Sequence, residues 1–349
     1  MLRYLTAGES HGRGLVAILE GMPAGVRVDL SYINAQLKRR QMGFGRGKRM
    51  QIENDKARIL SGLKGGVTLG SPLTVLVENK DFSIEKLHNV LAARPGHADL
   101  AGALKYGFSD IRNVLERASA RSTAATVAVG GLCRILLKVF HIEITSTVVS
   151  IGGERSHRGR IARIKQAMEA KDTVGGIFEV RAQGVPVGLG SYAQPDRRLD
   201  GRLAQALMSI PGIKAVEIGL GFGYADQFGS RVHDAIYCSP GKGFYHRTNN
   251  AGGIEGGISN GEAVVVRACM KPIATLLQPL DSVNIATRKP AQAAVERSDY
   301  CAVESAGVVA EAACALVLAD LFLEKFGSDN LEDIQAAVAR YRKRLKNKR

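Results

Sequence analysis

The chain has 349 residues, of which 45% are hydrophobic and 23% charged, the balance of an ordinary soluble globular protein. It has no Trp and only 5% aromatic residues, which argues against a single-strand nucleic-acid binder built on stacked bases. A net charge of +15 points to acidic partners without choosing between nucleic acid, a membrane surface and an anionic metabolite.

In chain order, Leu2 to Ala7 reads as a strand running into Gly8-Glu9-Ser10-His11-Gly12, a loop that holds a His between glycines. Leu30, Ile33 and Leu37 have helical spacing behind a cap at Asp29 or Ser31. The stretch Lys38 to Glu53 follows and reads as a loop, because Gly43, Gly45 and Gly47 lie too close together for a helix. Ala57 to Leu60 and Leu73 to Val77 read as strands around the turn Gly65 to Pro72. A second candidate His lies in Arg94-Pro95-Gly96-His97-Ala98-Asp99. Leu115 to Ser122 opens an apolar internal helix, Ala124 to Phe140, whose start suits an anion. Strands follow at Ile142 to Ser150, Ile177 to Ala182, Ile213 to Ile218 and Ala263 to Cys269. Arg155 to Arg163 reads as an exposed loop before a helix near Ile164, and Leu199 to Ile210 as an amphipathic helix. Ala306 to Phe326 is a second apolar helix. The tail beyond it ends in seven basic residues among the last ten.

Arg39, Arg40, Arg46, Lys48 and Arg49 crowd the glycine-bearing loop. Guanidinium forks grip carboxylate and phosphate oxygens in pairs, and alternating glycines let backbone N–H groups approach a ligand. By itself the loop fits either a pocket for a small polyanion or an RNA-binding patch. The five cysteines are scattered without a CxxC pair, so neither a metal site nor a disulfide framework is expected. No apolar signal core opens the chain and no run reads as transmembrane, so a cytoplasmic protein is expected.

The sequence also echoes itself. Gly65-Gly66-Val67-Thr68-Leu69-Gly70 is matched by Gly256-Gly257-Ile258-Ser259-Asn260-Gly261, and Leu115 to Ser119 by Val295 to Asp299, in the same order. Two similar halves facing each other across a shared core would explain this. Nothing between them reads as a linker, so residues 1–326 are expected to form one domain, with 327–349 as a basic helical tail.

Taken together these motifs resemble the chorismate synthase family. The resemblance rests on GESHG at Gly8, RRQMGFGRGKRMQIE at Arg39, SGLKGGVTLGSP at Ser61, RPGHADL at Arg94 and LERASARST at Leu115. It continues through LDGRLAQALMSIPGIKAVEIG at Leu199, NNAGGIEGGISNG at Asn249, KPIAT at Lys271 and RSDYCAV at Arg297. Leu220, where many members have Asp, and Glu304, where Pro is usual, are departures beside site residues.

The resemblance implies an α+β fold, a β-α-β sandwich of antiparallel sheets and helices, assembled as a homotetramer. It implies a phosphate lyase of the shikimate pathway, which makes chorismate from 5-enolpyruvylshikimate 3-phosphate by anti 1,4-elimination. The reaction depends on reduced FMN with no net redox change. Without a reductase domain the flavin would come from a separate reducing system, with NADP among the associated nucleotides; neither nucleic acid nor membrane is an expected partner. Arg40, Arg46, Arg49, Arg94 and Arg121 form the expected substrate set. The flavin would be held by Arg117, Ala118, Ser119, Pro211, Gly212, Gly256, Lys271, Pro272, Ile273, Ala274, Thr275 and Arg297. Of seven His, only His11 and His97 lie in glycine-supported loops that also match family motifs. They are assigned to protonating the leaving phosphate and to protonating or polarising the flavin, with Asp299 completing proton removal. Asp299 also fits a helix N-cap. An ordinary flavin oxidoreductase is disfavoured, because no GxGxxG opens a Rossmann unit.

Overall fold

The computed structural model describes residues 2–47, 54–241, 243–296 and 298–347. Four strands, β1 (Arg3–Ala7), β2 (Gly14–Glu20), β3 (Ala57–Ser61) and β4 (Leu73–Glu78), form an antiparallel sheet in the order β1-β2-β4-β3. Four more, β5 (Glu143–Ile151), β6 (Gly176–Gln183), β7 (Ile213–Ile218) and β8 (Val264–Met270), form a second in the order β5-β6-β8-β7. The two orders are the same when each set of four is counted from its first strand. Alternation sets their inner faces: Leu15, Ala17 and Leu19 point inward from β2, and Phe178, Val180 and Ala182 from β6.

The helices are α1 (Leu30–Gln41), α2 (Asp99–Tyr106), α3 (Arg112–Ala118), α4 (Thr123–Val139), α5 (His157–Glu169), α6 (Leu199–Met208), α7 (Val303–Phe326) and α8 (Leu331–Asn347). Helix α4 packs on the first sheet, α7 packs on the second, and the two helices pack on each other, so helices fill the layer between the sheets. They approach closely at Gly130, where a Cβ would lie 2.4 Å from the Ala312 Cβ. Among the described residues two helical stretches are long and apolar enough to cross a membrane, contrary to expectation, Arg112–Val139 and the 24-residue α7, and the most apolar window of α7 is wholly buried inside the protein. Helix α7 is a core helix, and its buried Glu311 and Asp320 are both bonded. Glu311 accepts from Arg39, Arg134 and the Ser146 N–H, tying α1, α4 and β5 to α7.

The internal echo extends to single hydrogen bonds. In the first half the Thr68 hydroxyl donates to the Pro23 carbonyl and accepts from the Val26 N–H, while Gly25 N–H donates to the Thr68 carbonyl. In the second half the Ser259 hydroxyl donates to the Pro186 carbonyl and accepts from the Leu189 N–H, while Gly188 N–H donates to the Ser259 carbonyl. The other echo does not hold in three dimensions among the described residues, for Leu115–Ala118 is helical whereas Val295, Glu296, Ser298 and Asp299 carry no regular structure.

Two boundaries differ from expectation. Helix α1 continues through Gln41, so Lys38, Arg39 and Arg40 are helical and only the glycines begin the loop. Helix α5 starts at His157, capped by the Ser156 hydroxyl accepting from Gly159 N–H, within the segment expected to be a loop.

Candidate active site

The site is threaded by the segment between Ala293 and Glu304, which touches each candidate loop in turn. Ala294 N–H donates to the Ala92 carbonyl, two residues before Arg94. Glu296 pairs with Arg112 at 2.7 Å, beside the His11 group. Asp299 accepts from Gly47 N–H at 2.6 Å and pairs with Arg46 at 3.1 Å.

His11 is positioned by a buried carboxylate. Its Nδ1 lies 2.9 Å from Glu116 Oε1, and its backbone N–H donates to Glu116 Oε2 at 2.7 Å. Burial by itself would raise the Glu116 carboxyl. The bonds from the His11 ring and backbone, with Arg112 nearby, outweigh it and hold the group below the usual range. Asn79 secures the loop from the other side, its amide donating to the carbonyls of Glu9, Ser10 and Gly12. The Asn79 Oδ1 accepts from Arg121 Nε at 2.8 Å, so the His11 loop and the arginines share one anchor.

The arginines form the next layer. Buried Asp55 accepts from Arg121 at 2.6 Å and from Arg40 at 2.7 Å. Arg40 also donates to the Thr123 hydroxyl at the start of α4. Burial weakens proton retention by Arg40; Asp55 opposes the fall, and the nearby Arg121 and Arg46 add to it. Arg40, Arg46 and Arg121 thus set three cations against the carboxylates of Asp55 and Asp299. The Nε–H groups of Arg40 and Arg46 are buried and have no hydrogen-bond partner among the described residues. A buried donor left unsatisfied is costly, and an incoming anion would satisfy it.

The alternating glycines serve a purpose the sequence did not show. A Cβ on Gly43 would meet the Glu304 carboxylate at 2.9 Å, one on Gly45 the Ile164 side chain at 2.7 Å, and one on Gly47 the Ser298 carbonyl at 2.7 Å. The close approaches are to the chain's own 298–304 segment and to Ile164. Glu304, one of the two departures, is therefore a packing neighbour of this loop. Leu220, the other, donates its N–H to the Asn250 carbonyl at 2.7 Å. Asp299 does not cap α7, whose N-cap is Ala302 and has no side-chain cap. Arg49 and Arg297 lie outside the described residues.

His97 has its own buried carboxylate, with Nδ1 2.5 Å from Asp99 Oδ1. Burial pushes Asp99 up, but bonds from His97 and Arg94 outweigh it and hold the carboxyl well below the usual range. Arg94 joins the same group. Its Nε and Nη2 donate to Asp99, its Nη1 donates to the Thr275 hydroxyl at 2.7 Å, and the residue is buried. The Arg94 fork is engaged by Asp99, Thr275 and the His97 ring, which ties it to the His97–Asp99 pair.

The segment Lys271 to Thr275 borders this pair. The Lys271 ammonium donates to the Gly96 carbonyl, and Lys271 N–H donates to the Gly212 carbonyl at 2.9 Å. Pro211, Gly212, Lys271, Pro272, Ile273, Ala274 and Thr275 therefore gather beside His97, as a half-exposed shelf of irregular backbone with a cation at its edge. Thr173 joins the shelf to the arginine side, its hydroxyl donating to the Ile273 carbonyl while Val174 N–H donates to Tyr300. Arg117 is engaged elsewhere, donating to the carbonyls of Thr6 and Gly8, with Ala118 and Ser119 following it at the end of α3. Ser119 accepts from Arg121 N–H. Gly256 is not brought to the shelf; it sits beyond the other end of β8, about 20 Å away by strand rise.

Sequence reasoning missed Glu116, Asp55, Asn79 and Asp99 as site residues. Only Asp99, two residues from His97, gave a local signal; the others act across long chain separations. Two clefts elsewhere, of about 580 Å³ along α5 and about 230 Å³ beside Glu304, contain neither His. Size is the weaker guide here, since both His–carboxylate pairs and the buried Nε donors of Arg40 and Arg46 lie outside the two clefts.

Each of the two histidines is backed by a buried carboxylate, and the arginines bonded to Asp55 adjoin the His11 loop through Asn79. The chain belongs to the chorismate synthase family, whose model matches residues 2–323. It is 53% identical to a chorismate synthase of Moorella thermoacetica, with 99% of each chain covered. It is also 53% identical to that of Thermoanaerobacter pseudethanolicus, covering 99% of this chain and 100% of the relative. A crystal structure of a chorismate synthase superposes with a TM-score of 0.81 at 42% identity, covering 99% of this chain and 98% of that one. The chain is thus an enzyme of the carbon–oxygen lyase class.

Proposed function

We propose that this enzyme eliminates phosphate from 5-enolpyruvylshikimate 3-phosphate to give chorismate, with reduced FMN required and not consumed. One observation carries the reading: buried N–H donors of Arg40 and Arg46 that have no partner among the described residues lie in the network that also positions His11 and Asp299. A substrate with two carboxylates and a phosphate would complete those donors.

The donor chemistry fits the flavin. Lys271 offers a cation, the Pro211–Gly212 and Lys271–Thr275 backbones offer a shelf for a planar ring, and Arg117 to Ser119 lie across the site beyond the His11 loop. When bound, reduced FMN supplies electron density that helps phosphate leave. The chain's own groups bind, orient and handle protons. His11, with Nδ1 on Glu116, has Nε2 to hold the proton destined for the leaving phosphate. His97, with Nδ1 on Asp99, does the same on the flavin side. Asp299 becomes available to take up a proton once an anion draws Arg46 away.

Gly256 stands apart from the shelf, so in this reading it serves a neighbouring copy, which favours the homotetramer. Residues 1–326 act as one catalytic unit in the cytoplasm, and a separate system reduces the flavin. Calorimetric titration with the substrate tests the binding half: Arg46→Ala should weaken it about ten- to a hundredfold, the loss of about 1.5–3 kcal/mol from a charge-assisted bond. Unchanged affinity would remove Arg46 from the site.

A further inference from the structure

Residues 171–175 connect α5 to β6 and bridge two parts of the candidate site. Their shape is set by the way α5 ends. Lys171 N–H donates to the Met168 carbonyl and Asp172 N–H to the Ala167 carbonyl, the pair of bonds that closes a helix on a left-handed residue. That residue is Lys171, at φ 56°, where glycine is usual. The Lys171 carbonyl then accepts from the N–H groups of both Leu277 and Gln278 at 3.2 Å. Two residues on, the Thr173 hydroxyl donates to the Ile273 carbonyl at 2.7 Å. The next N–H, of Val174, donates to the Tyr300 carbonyl at 2.9 Å. Gly175 lies against the start of the shelf, where a Cβ would meet the Met270 carbonyl at 2.3 Å. The strap is thus bonded to the shelf along one edge and to the residue after Asp299 along the other.

We propose that Thr173 is a positioning residue, which holds the Lys271–Thr275 shelf at a fixed offset from Asp299. Backbone bonds at Lys171 and Val174 survive most substitutions, whereas the Thr173 bond depends on its side chain. The carbonyl it holds, that of Ile273, lies at the middle of the shelf. Tyr300 is clamped between the strap and the glycine loop, since its own N–H donates to the Gly45 carbonyl at 2.8 Å. Asp299 is fixed to the same loop through Gly47 and Arg46. Loss of the Thr173 hydroxyl would therefore slacken the shelf while Asp299 stays in place. A misplacement of about 1 Å between reacting groups can cost about a hundredfold in rate. The inference rests on the proposed function for what the shelf and Asp299 do.

The test compares Thr173→Val, which keeps nearly the same shape without the hydroxyl, with Thr173→Ser, which keeps the hydroxyl. Fluorescence titration with oxidised FMN gives flavin affinity. Anaerobic turnover at saturating reduced FMN gives kcat and KM, and circular dichroism reports folding. For Thr173→Val the expected result is FMN affinity weakened about two- to tenfold, the worth of one hydrogen bond, and kcat lowered about tenfold or more with the substrate's KM nearly unchanged. Thr173→Ser should stay near wild type in both. Wild-type kcat and FMN affinity in folded Thr173→Val, or an equal loss in Thr173→Ser, would overturn the proposal. So would failure of both Thr173→Val and the smaller Thr173→Ala to fold, which would make the residue structural only. A wild type that binds FMN without turning over the substrate would refute the proposed function instead, and the fluorescence comparison would still decide whether Thr173 holds the shelf.

Discussion

His11 and His97 look alike at the scale of the side chain: each ring sets Nδ1 against a buried carboxylate, and the His97 ring also lies against the Arg94 guanidinium. Such pairing fixes the orientation of each ring. Substituting His11→Ala, His97→Ala or Asp299→Ala should lower turnover by about a hundredfold or more at saturating reduced FMN, with the melting temperature nearly kept. If all three retain near-normal turnover, the assignment of proton roles fails. Arg46 carries a second burden, because its partner is Asp299. Arg46→Ala should therefore lower turnover as well as affinity, whereas loss of a pure anion contact would raise the Michaelis constant alone. The basic residues were legible from sequence because loop arginines beside glycines are locally conspicuous. The carboxylates that aim the histidines were not, since Glu116 meets His11 across 105 residues of chain.

Elements decide whether those side chains meet. Asn79, just past β4, holds three carbonyls of the His11 loop and Arg121 together. Asn79→Ala should cost about 1–3 kcal/mol, the price of leaving buried polar groups unpaired. Chemical denaturation would measure it, and a loss below about 0.5 kcal/mol, typical of an exposed change, would contradict the role. At the core, α4 meets α7 at Gly130 with no room for a side chain. Gly130→Val should destabilise by at least about 1–3 kcal/mol through overpacking. Periodicity placed most strands and helices within a few residues, since alternation and helical spacing are local. The start of α5 was missed because its face is polar and basic, and helix formation there depends on the Ser156 cap. The shared sheet order was foreshadowed by the glycine-turn echo, for Thr68 and Ser259 make the same hydrogen bonds. The second echo misled: Leu115 to Ala118 is helical, whereas Val295 and Glu296 are not, and Glu296 is instead held by Arg112.

Across the whole molecule, Glu116, Asp99 and Glu311 are buried carboxylates held below their ordinary range. Each binds its proton more weakly folded than unfolded, so each contributes stability above the ordinary carboxylate range of about pH 4 and loses it as pH falls through the folded value. Melting temperature should therefore drop steeply on acidification below about pH 4, and Glu311→Gln should show a shallower drop. Equal slopes would deny Glu311 that role. The reaction joins all three scales, because it requires the loops, the sheets and the charge balance at once. Its most direct measurement is anaerobic turnover of 5-enolpyruvylshikimate 3-phosphate with a limiting amount of reduced FMN, counting chorismate formed against reductant consumed. The expected result is many chorismate molecules per flavin, no turnover without reduced FMN, and no net use of reductant. Turnover without flavin, or one reducing equivalent spent per product, would contradict it.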